Sequence, residues 1–190
     1  MFDSIAKDIR GLMLFDGVAE ATLRHLLRAG YDQSFPPMVT LIDEGQPATF
    51  LHILVEGMVE LYARAEAREA TMAVLRPVST FILAASIRDQ PYLMSARTVQ
   101  RSRILMIPSA DLRVALAADI RFANNVMNDL AGCYRSMSRH AKTLKLRNSR
   151  ERIAAYLLRQ SRLLGHAPGY TLPVEKRLLA SYLGMTPENL

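Results

Sequence analysis

The sequence predicts an α+β protein in three parts: a sheet-rich N-terminal domain, one long helix, and a small helical domain ending in a helix-turn-helix. Three observations carry this reading. Short apolar runs recur at even spacing between residues 34 and 108, divided by turn formers. Residues 119–146 contain no proline and, apart from Gly132, no glycine, and their apolar residues fall at helical intervals. Residues 171–190 read as a short helix, a tight turn at Gly184 and the opening of a second helix.

Taken in order, the first 30 residues favour short helices, with Leu12, Leu14, Val18, Leu23, Leu26 and Leu27 three and four apart. Strand patterns follow at Val39-Thr-Leu-Ile42, Leu51-His-Ile-Leu-Val55, Met58-Val-Glu-Leu-Tyr62, Thr71-Met-Ala-Val-Leu75 and Arg103-Ile-Leu-Met-Ile107. Pro36-Pro37, Asp43-Glu-Gly45, Glu56-Gly57 and Arg76-Pro77 punctuate them, which predicts an antiparallel sandwich or barrel. Pro108-Ser109 ends the sheet region. In the long helix, Val126, Leu130, Cys133, Met137, His140 and Leu144 are spaced four and three apart, the seam of a heptad repeat. Two uses fit such a seam: pairing with a second copy, or packing on the sheet domain of the same chain. Asn148-Ser149 then breaks the helix and caps a new one with Ile153, Ala154, Leu157, Leu158 and Leu164 on its apolar face, closed by Gly165. The last helix should span 174–183, started by Pro173, and Thr186 should cap the next, with Pro187 at its first position.

Composition narrows the function classes. A chain of 190 residues, half of them hydrophobic, can bury one full core and a small second one. A net charge of +6 favours an anionic partner. Cys133 is the only cysteine, which excludes a disulfide framework and any thiolate cluster for zinc or iron–sulfur, and suits a reducing cytoplasm. No apolar run is long enough to span a membrane, and the first 14 residues, with Asp3, Lys7, Asp8 and Arg10, lack a signal-peptide core. Nucleophile-elbow, zinc-protease, phosphate-loop and dinucleotide fingerprints are all missing, so an enzyme is not expected.

The order of parts resembles the cyclic-AMP receptor protein/FNR (CRP/FNR) superfamily of bacterial transcription regulators. The resemblance rests on Asp43-Glu-Gly45-Gln-Pro-Ala, Leu51-His-Ile-Leu-Val-Glu-Gly57-Met-Val-Glu-Leu-Tyr62, Ser95-Ala-Arg-Thr-Val-Gln-Arg-Ser-Arg103-Ile-Leu, Glu151-Arg-Ile-Ala-Ala-Tyr-Leu-Leu158 and Leu179-Ala-Ser-Tyr-Leu-Gly-Met-Thr-Pro-Glu188. It implies a jelly-roll sensor domain over 1–118, a dimerisation helix over 119–147 and a winged helix-turn-helix over 148–190, incomplete because the chain stops inside the recognition helix. It also implies a homodimer, a palindromic double-stranded DNA site and RNA polymerase as a partner.

The sensor departs from the family. Members that bind cyclic AMP carry a phosphate-binding cassette with Gly-Glu near its start and Arg-Ser near its end. Here alignment through Gln90-Pro91 and Ser95-Ala-Arg97 puts Ile82-Leu83 and Tyr92-Leu93 at those places. Without the arginine a phosphodiester would sit unpaired in a partly buried site, which argues against cyclic AMP in the usual mode. The expected pocket, Met72, Ile82, Leu83, Tyr92, Leu93 and Met94, suits an apolar ligand or a haem better than an anion, or is simply a filled core. Ser138 matches the place where the family's receptor meets adenine. His25, His52 and His140 are the candidate haem ligands, and His166 follows Gly165.

At the DNA-binding end the resemblance implies that Thr186, Pro187, Glu188 and Asn189 open the recognition helix. Glu188 matches a glutamate that accepts from cytosine, while Pro187 stands where many members carry a guanine-reading arginine. Lys176 and Arg177 are placed to meet phosphates. The expected function is therefore a homodimeric, effector-gated transcription regulator. The alternative is a small-molecule or haem-binding sensor module without DNA activity.

Overall fold

The computed structural model describes residues 8, 9, 11–66, 68–163, 165, 169, 171, 172 and 174–190. The chain forms two compact units, Met1–Gly132 and Cys133–Leu190. In the first, a 3-10 turn (Met13–Phe15) and α1 (Glu20–Ala29) precede β1 (Tyr31–Phe35), β2 (Thr40–Ile42), β3 (Phe50–Glu56), β4 (Val59–Ala65), β5 (Arg68–Leu75) and β6 (Ser79–Phe81). There follow α2 (Leu83–Arg88), β7 (Ser95–Thr98), β8 (Ser102–Pro108), α3 (Ser109–Ala118) and the start of α4 (Ile120–Leu146).

The strands make two four-stranded antiparallel sheets, ordered β1-β8-β3-β6 and β2-β7-β4-β5. The first sheet is covered on both faces. Leu51, Ile53 and Val55 of β3, with Leu105 and Ile107 of β8, share a core with Leu23, Leu26, Leu112 and Phe122 from the helices. On the other side Leu54 and Ile104 meet Val59, Leu61 and Ala96 of the second sheet. That double burial is why β3 reads as a continuous apolar run rather than an alternating one.

Four elements carry no strong sequence signal: β1, β6, β7 and α2. β1 is a polar strand at the edge of its sheet, held by backbone pairing with β8. β7 is polar for a different reason. Its hydroxyls tie loops down: Thr98 Oγ1 donates to the Pro36 carbonyl (2.7 Å) and accepts from the Val39 N–H (2.9 Å), and Ser95 Oγ accepts from the Glu44 N–H (3.0 Å). Such bonds satisfy buried backbone at a cost in apolar periodicity.

Asp119 separates α3 from α4. Its Oδ1 accepts the N–H groups of Arg121 (3.0 Å) and Phe122 (3.1 Å), and its Oδ2 accepts that of Ala19 (3.0 Å), where α1 begins. These bonds, that from Phe122 foremost, hold the carboxyl below the usual aspartate range. The beginning of α4 is then fastened to its own unit. Phe122 stacks on Phe15 (centroids 6.0 Å apart), Asn125 Nδ2 donates to the carbonyls of Leu14 (3.2 Å) and Asp16 (2.8 Å), and Thr80 Oγ1 donates to Asp129 (2.7 Å).

The second unit holds the rest of α4, α5 (Ser149–Leu163), α6 (Lys176–Tyr182) and a 3-10 turn (Pro187–Asn189). The expected break and cap after α4 is a reciprocal box: the Asn148 N–H donates to Glu151 Oε2 (2.9 Å) and the Glu151 N–H to Asn148 Oδ1 (3.1 Å).

The β3–β4 turn depends on Gly57. Its φ is +97°, and a Cβ there would run into the Arg101 carbonyl and Ser102 Oγ, which itself accepts from the Met58 N–H at 3.1 Å. Gly57→Ala should therefore lower stability by about 3 kcal/mol, from both the left-handed backbone and the clash, and a denaturant melt would measure it.

Candidate functional site

The end of the second unit, α6 with the turn and the 3-10 turn that follow it, is built around one buried edge. Leu179, Ala180 and Leu183 are the buried residues of α6 and its end. The helix is shorter than the expected 174–183 because Glu175, in extended conformation, caps it, while Pro173 lies outside the described residues. Gly184 takes φ +65°, and the Met185 N–H returns to the Ala180 carbonyl (3.0 Å). Arg152 of α5 braces this turn. Its Nη1 donates to the carbonyls of Leu183 (2.8 Å) and Gly184 (2.9 Å), and its Nε to that of Arg147 (3.0 Å). No local signal marks Arg152 for this role, since the turn carbonyls it binds lie more than 30 residues away in the chain.

Beyond the turn, Thr186 has the extended backbone of a cap, yet its hydroxyl accepts from Asn189 Nδ2 (3.2 Å) and caps no N–H. Thr186, Glu188 and Asn189 are exposed and Pro187 is half-buried. A hydrogen bond with Thr186, with Lys176 nearby, holds the Glu188 carboxyl below the ordinary glutamate value. Lys176 and Arg177 are both exposed. All six residues expected to meet DNA thus lie in the second unit. Charge is concentrated there too: residues 133–190 contain eleven Lys+Arg against three Asp+Glu, whereas residues 1–132 contain thirteen against fifteen.

The expected sensor pocket is not one cluster. Leu83 and Tyr92 are buried, but Leu83 joins the core beneath the helices while Tyr92 joins the core between the sheets. Ile82 and Met94 pack at the edge of the inter-sheet core. Leu93 is 80% exposed and Met72 40% exposed, and Ser138 is exposed in the second unit. Tyr92 is anchored by its hydroxyl, which donates to the Phe50 carbonyl (3.0 Å), and by backbone bonds to Gly45 and Gln46. The residues opening α2 are Leu83 and Ala84, and those leading into β7 are Met94 and Ser95. The aligned positions Ile82, Leu83, Tyr92 and Leu93 are all uncharged, and the cation that reaches α2, Arg113, is bound to the Ser86 carbonyl (2.9 Å) and Asp89 (3.1 Å). The nearest basic residue of β7, Arg97, is already engaged by Glu60 (2.7 Å) and Glu69 (2.6 Å) and lies over the Tyr62 ring.

The three histidine candidates have different surroundings. His25 Nε2 pairs with Asp111 (3.1 Å). His52 is buried beside Phe81 (5.2 Å) and Tyr92 (6.4 Å), and burial, outweighing a hydrogen bond with the Phe50 backbone, lowers its pKa to about 4. His140 stacks on Tyr182, and burial together with the charge of Arg159 lowers its pKa. His166 lies outside the described residues. Among the described residues no group of three or more His, Cys, Asp or Glu could hold a metal ion.

The expected seam on α4 is divided. Val126 is buried at 2% exposure in the core of its own unit, and Leu130 packs against that core. Cys133 and Met137 are exposed, His140 meets Tyr182, and Leu144 lies against Gly184. On an adjacent heptad line, which shares Leu130, Met137 and Leu144 with the expected seam, Ile120 (76% exposed), Met127 (57%), Tyr134 (73%) and Met137 (59%) stay outside. The expected seam runs through the buried valine because spacing alone does not say which of two adjacent lines the chain itself covers.

Comparison with known proteins agrees with this architecture. Residues 32–119 match the cyclic nucleotide-binding domain. Over 182 residues, 93% of this chain and 81% of its counterpart, the sequence is 24% identical to the CRP-like cAMP-activated global transcriptional regulator of Mycobacterium tuberculosis. In fold it is similar to FixK2 of Bradyrhizobium japonicum, with a TM-score of 0.75 and 24% identity over 84% of this chain and 80% of that one. It is also similar to the c-di-GMP-responsive global regulator CLP of Xanthomonas campestris, with a TM-score of 0.74 and 20% identity over 90% of this chain and 87% of that one. No helix among the described residues is long and apolar enough to cross a membrane.

Two measurements follow. Arg152→Ala should remove two bonds from the Gly184 turn and cost about 1 to 2 kcal/mol, visible as faster amide exchange at Gly184 and Met185. His52 binds a proton far less readily folded, at a pKa of about 4, than unfolded, at 6.5, so its contribution is complete above pH 6.5 and is lost as the pH falls towards 4. The loss should reach about 3 kcal/mol, and His52→Leu should flatten that part of a stability-against-pH curve.

Proposed function

We propose that this chain, which carries a cyclic nucleotide-binding domain and whose homologues are CRP-like regulators, is a homodimeric, DNA-binding transcription regulator whose effector is not cyclic AMP held in the usual way. The observation that carries this is the placement of positive charge: the unit with the helix-turn-helix has eleven basic residues to three acidic ones, while the sensor unit is slightly acidic. Such a distribution suits a phosphate backbone at one end of the molecule only.

In this reading Lys176 and Arg177 contact phosphates and set the register, and Glu188 and Asn189 meet base edges in the major groove. Pro187 has no donor for guanine, so the preferred site differs from that of members with arginine there. Pairing uses the exposed line through Ile120, Met127, Tyr134 and Met137, rather than one through Val126. Two copies joined along it present two reading turns to a palindromic duplex, and RNA polymerase is the partner such a site would serve. The uncharged side chains at Ile82, Leu83, Tyr92 and Leu93, with Arg97 already paired to Glu60 and Glu69, support the effector statement, because an unpaired buried phosphodiester would cost several kcal/mol.

The test combines assembly with binding. Sedimentation should show a dimer, and Met137→Asp, which sets two carboxylates face to face, should give monomers. Gel shifts with random-sequence duplex should weaken steeply between 50 and 200 mM salt, by roughly a hundredfold or more if several phosphates are met. Arg177→Ala should reduce the salt slope by about one without changing sequence preference. A chain that retains no duplex at 50 mM salt would overturn the DNA-binding reading, and an unchanged dimer in Met137→Asp would place the subunit contact elsewhere.

A further inference from the structure

The reading turn needs a fixed seat, and in the second unit that seat is aromatic. His140 of α4 stacks on Tyr182 at the end of α6, with ring centroids 4.5 Å apart and planes 18° apart. Tyr182 in turn meets Tyr156 of α5 edge-on, at 6.2 Å and 65°. One turn beyond His140, Leu144 lies close enough to Gly184 that a Cβ there would sit 3.0 Å from its Cδ2. Three helices therefore meet around one stacked pair, four residues before the contact with the turn itself. α6 has only seven residues and few buried side chains, Leu179 and Ala180. A helix that short has little packing of its own to define its angle, so a flat ring against Tyr182 has leverage over it.

We propose that His140 is a positioning residue for the helix-turn-helix: its ring, face to face with Tyr182, fixes how α6 and the Gly184 turn sit on the long helix, and so sets DNA affinity without touching DNA. The proposal rests on the DNA-binding reading for its consequence, but its structural content is independent of it. A phenyl ring can reproduce the stack and a methyl group cannot. His140→Phe should therefore behave like the unsubstituted chain where His140→Ala does not.

The experiment has two arms on the full chain. In the first, residual dipolar couplings of backbone amides compare α6 with residues 133–146. One alignment should fit both segments in the unsubstituted chain and in His140→Phe, and two should be needed in His140→Ala. In the second, duplexes recovered by the unsubstituted chain from a random pool are used in gel shifts. His140→Ala should bind them about fivefold more weakly, His140→Phe within twofold, with sedimentation unchanged in both. Tyr182→Leu, which removes the ring from the other side, serves if His140→Ala does not fold, and should give the same separation of alignments and the same weakening. A single alignment with unweakened binding in His140→Ala, or a phenylalanine variant as impaired as the alanine one, would overturn the proposal. If the unsubstituted chain recovers no duplex, the DNA-binding reading fails, and the dipolar couplings alone decide the positioning role.

Discussion

Each compact unit is built against its own part of α4, and those contacts are the constraint on which its packing depends. α4 gives its first turns to the sensor unit through Phe122 and Val126, and its last turns to the helix-turn-helix through His140 and Leu144. Within each unit these contacts cover only part of the helix surface and leave other apolar residues outside. Ile120, Met127, Tyr134 and Met137 remain in solvent. Their exposure is a larger apolar investment than a solvated helix requires, which is the physical basis for reading them as a subunit contact.

The first unit is held together by two kinds of contact. Two sheets and their covering helices bury β3 on both faces, and the interior is held by apolar contacts and by hydroxyls of β7 that fasten loops. The short helix α2 is likewise secured: Ser86 Oγ donates to the Phe50 carbonyl (3.0 Å), and Arg113 reaches the Ser86 carbonyl (2.9 Å) and Asp89 (3.1 Å). The positions that the resemblance aligns with the phosphate-binding pairs, Ile82-Leu83 and Tyr92-Leu93, are uncharged.

The second unit depends on few contacts, each with a clear job. Arg152 satisfies the carbonyls left free at the end of α6, Gly184 permits the left-handed turn, and the His140–Tyr182 stack orients the short helix. Because buried area is small here, loss of any one should be felt more than a comparable loss in the sensor core.

The sequence by itself determined the antiparallel sheet region, the long helix, the cap at Asn148 and the turn at Gly184. Each of these is written in local chemistry: alternating or continuous apolar runs, an uninterrupted helical stretch, a capping pair, a glycine where φ is positive. It also places Lys176, Arg177 and Glu188 within 13 positions of one another at the end of the second unit. Only the tertiary structure decided that β1 and β7 are strands, that Leu83 and Tyr92 belong to different cores, that Arg152 braces the turn, and which heptad line of α4 is free. Those outcomes depend on partners far away in the chain. Val126 and Met127 are neighbours in sequence and alike in hydrophobicity, and what separates them is that Phe15, Leu14 and the first sheet cover one side of the helix and not the other.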